Sequence, residues 1–290
     1  MNLRRLLETA RFELAANEDA AASPRLEAEL LLAQILGVDR AHLFAHAEDI
    51  APDEAITIFE RLVARRARGE PLAYITEEQE FWSLPLRVSP AVLIPRPETE
   101  LLVELALERL PPARAARVAD IGTGSGAIAL AIASERPAIE LHAVDLSHEA
   151  LEVARGNATT LGLRNVTFHE GSWCEPLTGE FDMVVSNPPY VRADDEHLQT
   201  GDLRFEPRLA LTPGDDEHAA FRAIADGAAE RLVPGGWLIF EHGFEQGAAV
   251  RQLLLDRGWE AVETRKDLAR KDRATLARCP VPRCRAPEIS

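Results

Sequence analysis

Cysteine is scarce, with three in 290 residues and no paired spacing, which excludes a disulfide framework. Cys279 and Cys284 lie near the end without histidine or cysteine partners at zinc spacing, so no metal site is expected and reduced cytoplasmic thiols are. No apolar run approaches the ~20 residues that span a bilayer, and residues 1–11 carry charges throughout instead of a signal peptide's apolar core. The expectation is a cytoplasmic chain with no membrane partner. Internal repeats and low-complexity tracts are absent too. Positive charge is in short supply: 32 Lys and Arg face 48 Asp and Glu, a net charge of −16. Phosphate contacts supply most of the affinity for nucleic acid, so no nucleic-acid partner is expected. The one small basic run, Arg65-Arg66-Ala67-Arg68, reads as the solvated end of a helix.

What is present has two textures. Residues 1–75 read as a small helical bundle. Leu3, Leu6, Leu7, Ala10 and Leu14 recur at helical spacing, and a second helix is punctuated by Ser23-Pro24 and Gly37. A third follows Pro52-Asp53 and ends near Gly69. Residues 76–95 form a connector, in which Phe81 to Val88 reads as two short strands with Pro85 at the bend or on an edge. A helix is predicted from about Glu98 to Arg109.

Residues 96–290 then alternate strand and helix. Strands are predicted at Val118–Ile121, Leu141–Asp145, Val166–Phe168, Phe181–Val185 and Trp237–Phe240, the last after a Pro234-Gly235-Gly236 turn. Two antiparallel strands, Ala261–Thr264 and Ala274–Leu276, close the chain. This pattern predicts an α/β fold with a doubly wound, mostly parallel sheet.

Two motifs carry chemistry. Asp120-Ile121-Gly122-Thr123-Gly124-Ser125-Gly126 joins a strand to a helix, where glycines allow positive φ and close approach of a ligand. Asp145 closes the next strand, at the spacing of an acid that accepts ribose hydroxyls. Together they indicate an adenosine-type cofactor, because the glycine spacing fits both dinucleotide and S-adenosylmethionine enzymes.

Asn187-Pro188-Pro189-Tyr190 follows the strand Phe181–Val185, so Asn187 falls at the carboxyl end of the sheet, where such folds bind ligands. Two prolines stiffen the loop and leave carbonyls free to accept. The Asn187 side-chain carbonyl and the Pro188 backbone carbonyl suit the two hydrogens of a planar, poorly nucleophilic nitrogen, and Tyr190 can pack on its flat face. The motif therefore predicts S-adenosylmethionine-dependent methylation of an amide or exocyclic amino nitrogen. By itself it leaves glutamine and adenine open. His242, in Glu241-His242-Gly243, reads as a strand-end histidine with a structural hydrogen bond.

On these residues the chain resembles the PrmC/HemK family of protein-(glutamine-N5) methyltransferases. Further support comes from Phe81-Trp82-Ser83-Leu84, Pro95-Arg96-Pro97-Glu98-Thr99-Glu100, Trp173 and Arg204-Phe205-Glu206-Pro207. The resemblance implies a seven-stranded Rossmann-like methyltransferase sheet with S-adenosyl-L-methionine as cofactor. Gly122, Thr123, Gly124, Ser125 and Gly126 would line its methionine and ribose, Asp145 would hold the ribose hydroxyls, and Trp173 would lie by the adenine, with Asn187 beside the cofactor too. It implies that Asn187, Pro188, Pro189 and Tyr190 bind the glutamine of the Gly-Gly-Gln loop of class I peptide chain release factors, Asn187, Pro188 and Tyr190 being catalytic. Residues 1–75 would bind this protein substrate. The alternative acceptor is adenine N6 in DNA or RNA. The chain departs from the family at Thr76-Glu77-Glu78 and Arg270-Lys271-Asp272, where glycine is usual, and at Pro213–Glu217, which lacks the usual Gly-Gly and Asp-Gly pairs.

Overall fold

In a computed structural model, which describes residues 1–16, 23–112 and 114–280, the chain divides into two compact units. One comprises Met1–Glu78 with Glu196–Glu206; the other comprises Gln79–Asp195 and the chain from Pro207 onward.

The first unit is helical: α1 (Leu3–Ala15), α2 (Pro24–Leu36), α3 (Arg40–Ala45), α4 (Asp53–Ala67) and α5 (Leu72–Thr76). The α1 stripe of Leu3, Leu6, Ala10 and Leu14 is buried in one cluster with Leu31 and Leu32 of α2 and Phe59 and Val63 of α4. Asn2 caps α1 by accepting from the Arg5 N–H, whereas Ser23 precedes α2 without a side-chain cap bond. Gly37 ends α2 at φ 64°, the left-handed region in which glycine meets no Cβ penalty. The basic run differs from the solvated expectation. Arg66 is only 6% exposed, and its Nε meets the buried Glu27 carboxylate at 2.6 Å. Burial of Glu27 on α2 demands a counter-charge, and Arg66 on α4 supplies it. Arg66 also lies 3.7 Å from Asp202, and Arg204 Nη2 donates to the Arg68 carbonyl, so residues 196–206 are held to the helices by polar contacts.

The connector hairpin is β1 (Glu78–Phe81) and β2 (Leu84–Arg87). Its bend is Trp82-Ser83, both at positive φ (53° and 57°), the geometry of a two-residue turn that matches strand twist. Pro85 lies within β2, where a two-stranded sheet leaves an edge free of ladder bonds.

The second unit continues with α6 (Glu100–Arg109), β3 (Arg117–Ile121), α7 (Ala127–Glu135), β4 (Glu140–Asp145), α8 (His148–Thr160), β5 (Val166–Glu170) and β6 (Phe181–Ser186). It ends with α9 (Arg208–Leu211), α10 (Ala219–Arg231), β7 (Leu232–Glu241), α11 (Gly247–Asp256), β8 (Glu260–Lys266) and β9 (Asp272–Arg278). The seven strands run in the order β5-β4-β3-β6-β7-β9-β8. Pairing is parallel from β5 to β7, and β9 is antiparallel to both of its neighbours. Alternating side chains feed two cores. Val118, Leu141 and Met183 pack with α6 and α7, while Ile121, Val184 and Phe240 pack with Phe221 of α10 and Val250 of α11. Pro234-Gly235-Gly236, expected as a turn before the strand, lies inside β7. Here Gly235 N donates to the Cys279 carbonyl and Cys279 N to the Gly236 carbonyl, extending the ladder through an irregular stretch. The chain winds outward through β3, β4 and β5 and then returns to β6 beside β3, so the switch in strand order opens at the carboxyl ends of β3 and β6.

Candidate active site

A cavity of about 490 Å³ opens there, lined by the β3–α7 turn, the end of β4, the loop after β6 and residues 91–99. Its size is that of a cofactor or ligand site. Gly122, Gly124 and Gly126 all take positive φ, at 74°, 56° and 87°. A Cβ on Gly126 would come within 3.0 Å of Leu130 and 3.3 Å of Ala154. Over Gly122 and Gly124 nothing lies within 4 Å, which leaves their backbone open to a ligand.

Two carboxylates organise this turn. Asp145, the last residue of β4, accepts from Gly124 N (2.8 Å, Oδ2) and Ser147 N (2.9 Å, Oδ1), and it faces the cavity with lone pairs to spare. Its burial raises its pKa above the usual carboxylate value. Asp120 lies wholly inside: Oδ2 accepts from Thr123 Oγ1 (2.7 Å) and Ala129 N (3.2 Å). Its Oδ1 has no hydrogen-bond partner, and burial raises its pKa to about 7. A buried carboxylate oxygen without a partner is costly unless a ligand completes it. With the open glycine backbone and Asp145, it fits an adenosine cofactor carrying an ammonium group, as S-adenosylmethionine does. Trp173, at φ 47°, also lines the cavity.

Asn187 lines the cavity, and its Nδ2 donates to Thr99 Oγ1 at 3.2 Å. Thr99 stands at the start of α6 but makes no cap bond; its hydroxyl instead serves the buried carboxyl of Glu241 as a hydrogen-bond donor. The Tyr190 hydroxyl donates to Glu241 Oε1 at 3.1 Å, and the Tyr190 carbonyl accepts from Gln246 Nε2 at 3.1 Å. The cavity thus brings together Gly122, Thr123, Gly124, Ser125, Asp145, Trp173, Asn187 and Pro189. Gly126 stands just behind it, Pro188 is buried, and neither Pro188 nor Tyr190 is part of the lining. Thr99, Asp120 and Glu241 are the residues that sequence reasoning left without a role. Two of them lie inside segments already conspicuous, but their buried partners are distant in sequence. His242 is structural: Nε2 is 2.8 Å from Thr275 Oγ1 and Nδ1 2.9 Å from the Gly243 carbonyl, while burial holds its pKa down.

Among the described residues no group of three or more His, Cys, Asp or Glu could hold a metal, and no helix is long and apolar enough to cross a membrane. Cys174 and Cys279 are buried free thiols; Cys284 lies outside the described residues.

Two family profiles match the chain, the PrmC N-terminal domain over residues 5–76 and the Methyltransferase small domain over residues 98–205. The fold resembles the crystal structure of a methyltransferase from Pyrococcus furiosus, at a TM-score of 0.52 and 16% identity, covering 75% of this chain and 98% of that one. A release factor glutamine methyltransferase from Xylella fastidiosa (strain Temecula1) is 54% identical, over 90% of this chain and 96% of its own. Those of Vibrio cholerae and Escherichia coli K12 are 48% and 47% identical, over 88% and 89% of this chain and 89% and 94% of theirs. At such identity over nearly the whole length, this chain belongs to the release factor glutamine methyltransferase family.

Proposed function

We propose that the protein methylates the side-chain amide nitrogen of the glutamine in the Gly-Gly-Gln loop of class I peptide chain release factors, in the cytoplasm, with S-adenosyl-L-methionine as methyl donor. The observation that carries the reading is the amide of Asn187: its Nδ2 is engaged by Thr99 at the cavity wall, which leaves Oδ1 as an acceptor for a substrate N–H. Bound S-adenosylmethionine supplies an electrophilic methyl group on a positively charged sulfur. The glycine turn and Asp145 would hold its ribose and methionine, Asp120 its ammonium group, and Trp173 its adenine.

A glutamine amide is a weak nucleophile because its lone pair is delocalised into the carbonyl. Asn187 Oδ1 and the Pro188 carbonyl, between two lining residues, would accept its two hydrogens and aim the nitrogen at the methyl. The same acceptors favour the positive charge that develops on nitrogen, so no strong base is needed before attack. Alignment of this kind contributes up to roughly 7–11 kcal/mol in the best cases. The proton leaves afterwards. Tyr190, anchored by Glu241, braces the loop, and any packing of its ring against the substrate amide is part of this proposal. Residues 1–75 would recognise the release factor, 76–95 would connect, and 96–290 would carry out the transfer.

The test is a labelled-methyl assay with a release factor, a Gly-Gly-Gln to Gly-Gly-Ala variant of it, and DNA and RNA side by side. Label on the intact release factor alone is the expected result. Label on nucleic acid instead would overturn the glutamine assignment in favour of adenine N6.

A further inference from the structure

We infer that Glu241 is a positioning residue that braces both ends of Asn187-Pro188-Pro189-Tyr190 and, through the Thr99 hydroxyl, dictates which face of the Asn187 amide meets the substrate. The inference rests on the methyl-transfer reading above and deepens it.

Register brings the parts together. Ser186 of β6 pairs in parallel with Phe240 of β7, so the next residues, Asn187 and Glu241, leave the sheet side by side. Thr99, 4% exposed, arrives from the turn before α6. Glu241 is 2% exposed, and its Oε1 takes the Tyr190 hydroxyl while the Thr99 hydroxyl also bonds to the carboxyl. One carboxyl therefore holds Tyr190 directly and Asn187 through one intermediate.

The direction of the chain follows from counting protons. Threonine has a single hydroxyl proton, and Thr99 gives it to Glu241. Thr99 Oγ1 can then only accept, so it must face the amide nitrogen of Asn187 and not the oxygen. The amide cannot flip without leaving Nδ2 without its acceptor in a partly buried site. Asn187 Oδ1 is thus committed to the cavity side. Each bond in the run Asn187 N–H to Thr99 O–H to Glu241 also polarises the one before it, which makes Oδ1 the stronger acceptor for a nitrogen gaining positive charge. Specificity follows: the wall accepts an N–H2 group and rejects a substrate that presents only acceptors.

The experiment compares Glu241→Gln, Thr99→Val and Thr99→Ser in the full-length enzyme. A glutamine at 241 can donate to Thr99, which frees the Thr99 proton and lets the Asn187 amide turn over. Glu241→Gln and Thr99→Val should each lower kcat by about 10- to 100-fold, the order of a lost acceptor in the transition state. KM for the release factor and the Kd of S-adenosylhomocysteine should stay within about threefold, and thermal unfolding should remain a single transition. Thr99→Ser, which restores the hydroxyl, should recover most of the loss of Thr99→Val. Because the two residues act in series, the double variant Thr99→Val/Glu241→Gln should be no slower than the slower single variant. An unchanged kcat, a loss that tracks cofactor affinity, no recovery in Thr99→Ser, or additive losses would each overturn the role of Glu241. The wild-type enzyme assayed in parallel separates the two failures: no methylation of the release factor by wild type overturns the functional reading itself, whereas active wild type with equally active variants overturns only the brace.

Discussion

Asp120→Asn in the cofactor-free protein tests how the glycine turn is held. In the folded chain Asp120 keeps its proton up to about pH 7, against 3.8 for an ordinary aspartate, because burial penalises the charge. Between those values the folded state binds more protons than the unfolded one, so the contribution of Asp120 to stability falls as pH rises. The interval corresponds to about 4 kcal/mol, fully lost above pH 7 and absent below pH 4. Asparagine keeps the acceptor for Thr123 and Ala129 but places an amide donor where Oδ1 has no partner, at about 1–3 kcal/mol regardless of pH. The variant should therefore be less stable than wild type near pH 4 and more stable by about 1–3 kcal/mol at pH 8. Urea unfolding of both proteins at half-unit intervals from pH 4 to 8 reads the difference directly. A gap between them that stays flat to within about 1 kcal/mol would refute the buried-charge argument. The stabilised variant should also bind S-adenosylhomocysteine more weakly, since it offers no negative charge to the ammonium group.

Asn187→Ala should reduce kcat by about 100-fold or more while S-adenosylhomocysteine binding by calorimetry stays within about tenfold, because only the substrate's acceptor is removed. Glu77 and Arg270 stand at φ 58° and 63°, conformations that cost an L-residue roughly 1–2 kcal/mol, so Glu77→Gly and Arg270→Gly should each stabilise by about 0.5–1 kcal/mol net of glycine's entropy. Thermal melts should register each as a rise of a few degrees, and a fall would show that side-chain contacts at these positions outweigh the strain. Arg66→Ala strips the counter-charge from buried Glu27 and should destabilise the helical unit by about 3–5 kcal/mol, measured by urea unfolding. A loss below about 1 kcal/mol would mean that water reaches Glu27 unaided.

Glu77 and Arg270 show how a likeness and a backbone can explain each other. Both fall where the resembling family usually has glycine, and both adopt the left-handed conformation that glycine takes without strain. The departure was visible in the sequence; its conformational cost needed the φ angles. Elements whose apolar pattern is continuous, such as Val118–Ile121 and the wholly apolar start of α7, were plain from periodicity alone. The Pro234-Gly235-Gly236 stretch was not, because turn residues there sit in a ladder sustained by Cys279, some forty positions later. The basic run at Arg65–Arg68 misled for a similar reason: its counter-charge, Glu27, is on another helix.

The Asn187-Pro188-Pro189-Tyr190 loop, the glycine turn and Asp145 announce themselves because each is a local constraint on backbone or donor chemistry. That much the sequence determined: an adenosine-type cofactor site and a stiff, acceptor-rich loop at the end of one strand. Which atoms of that loop meet the cavity was decided only by tertiary structure. Asn187 acquires its direction from Thr99, 88 residues earlier, and Tyr190 its anchor from Glu241, 51 residues later. Hydrogen-bond direction depends on where single protons are spent in three dimensions, and no spacing along a chain records that.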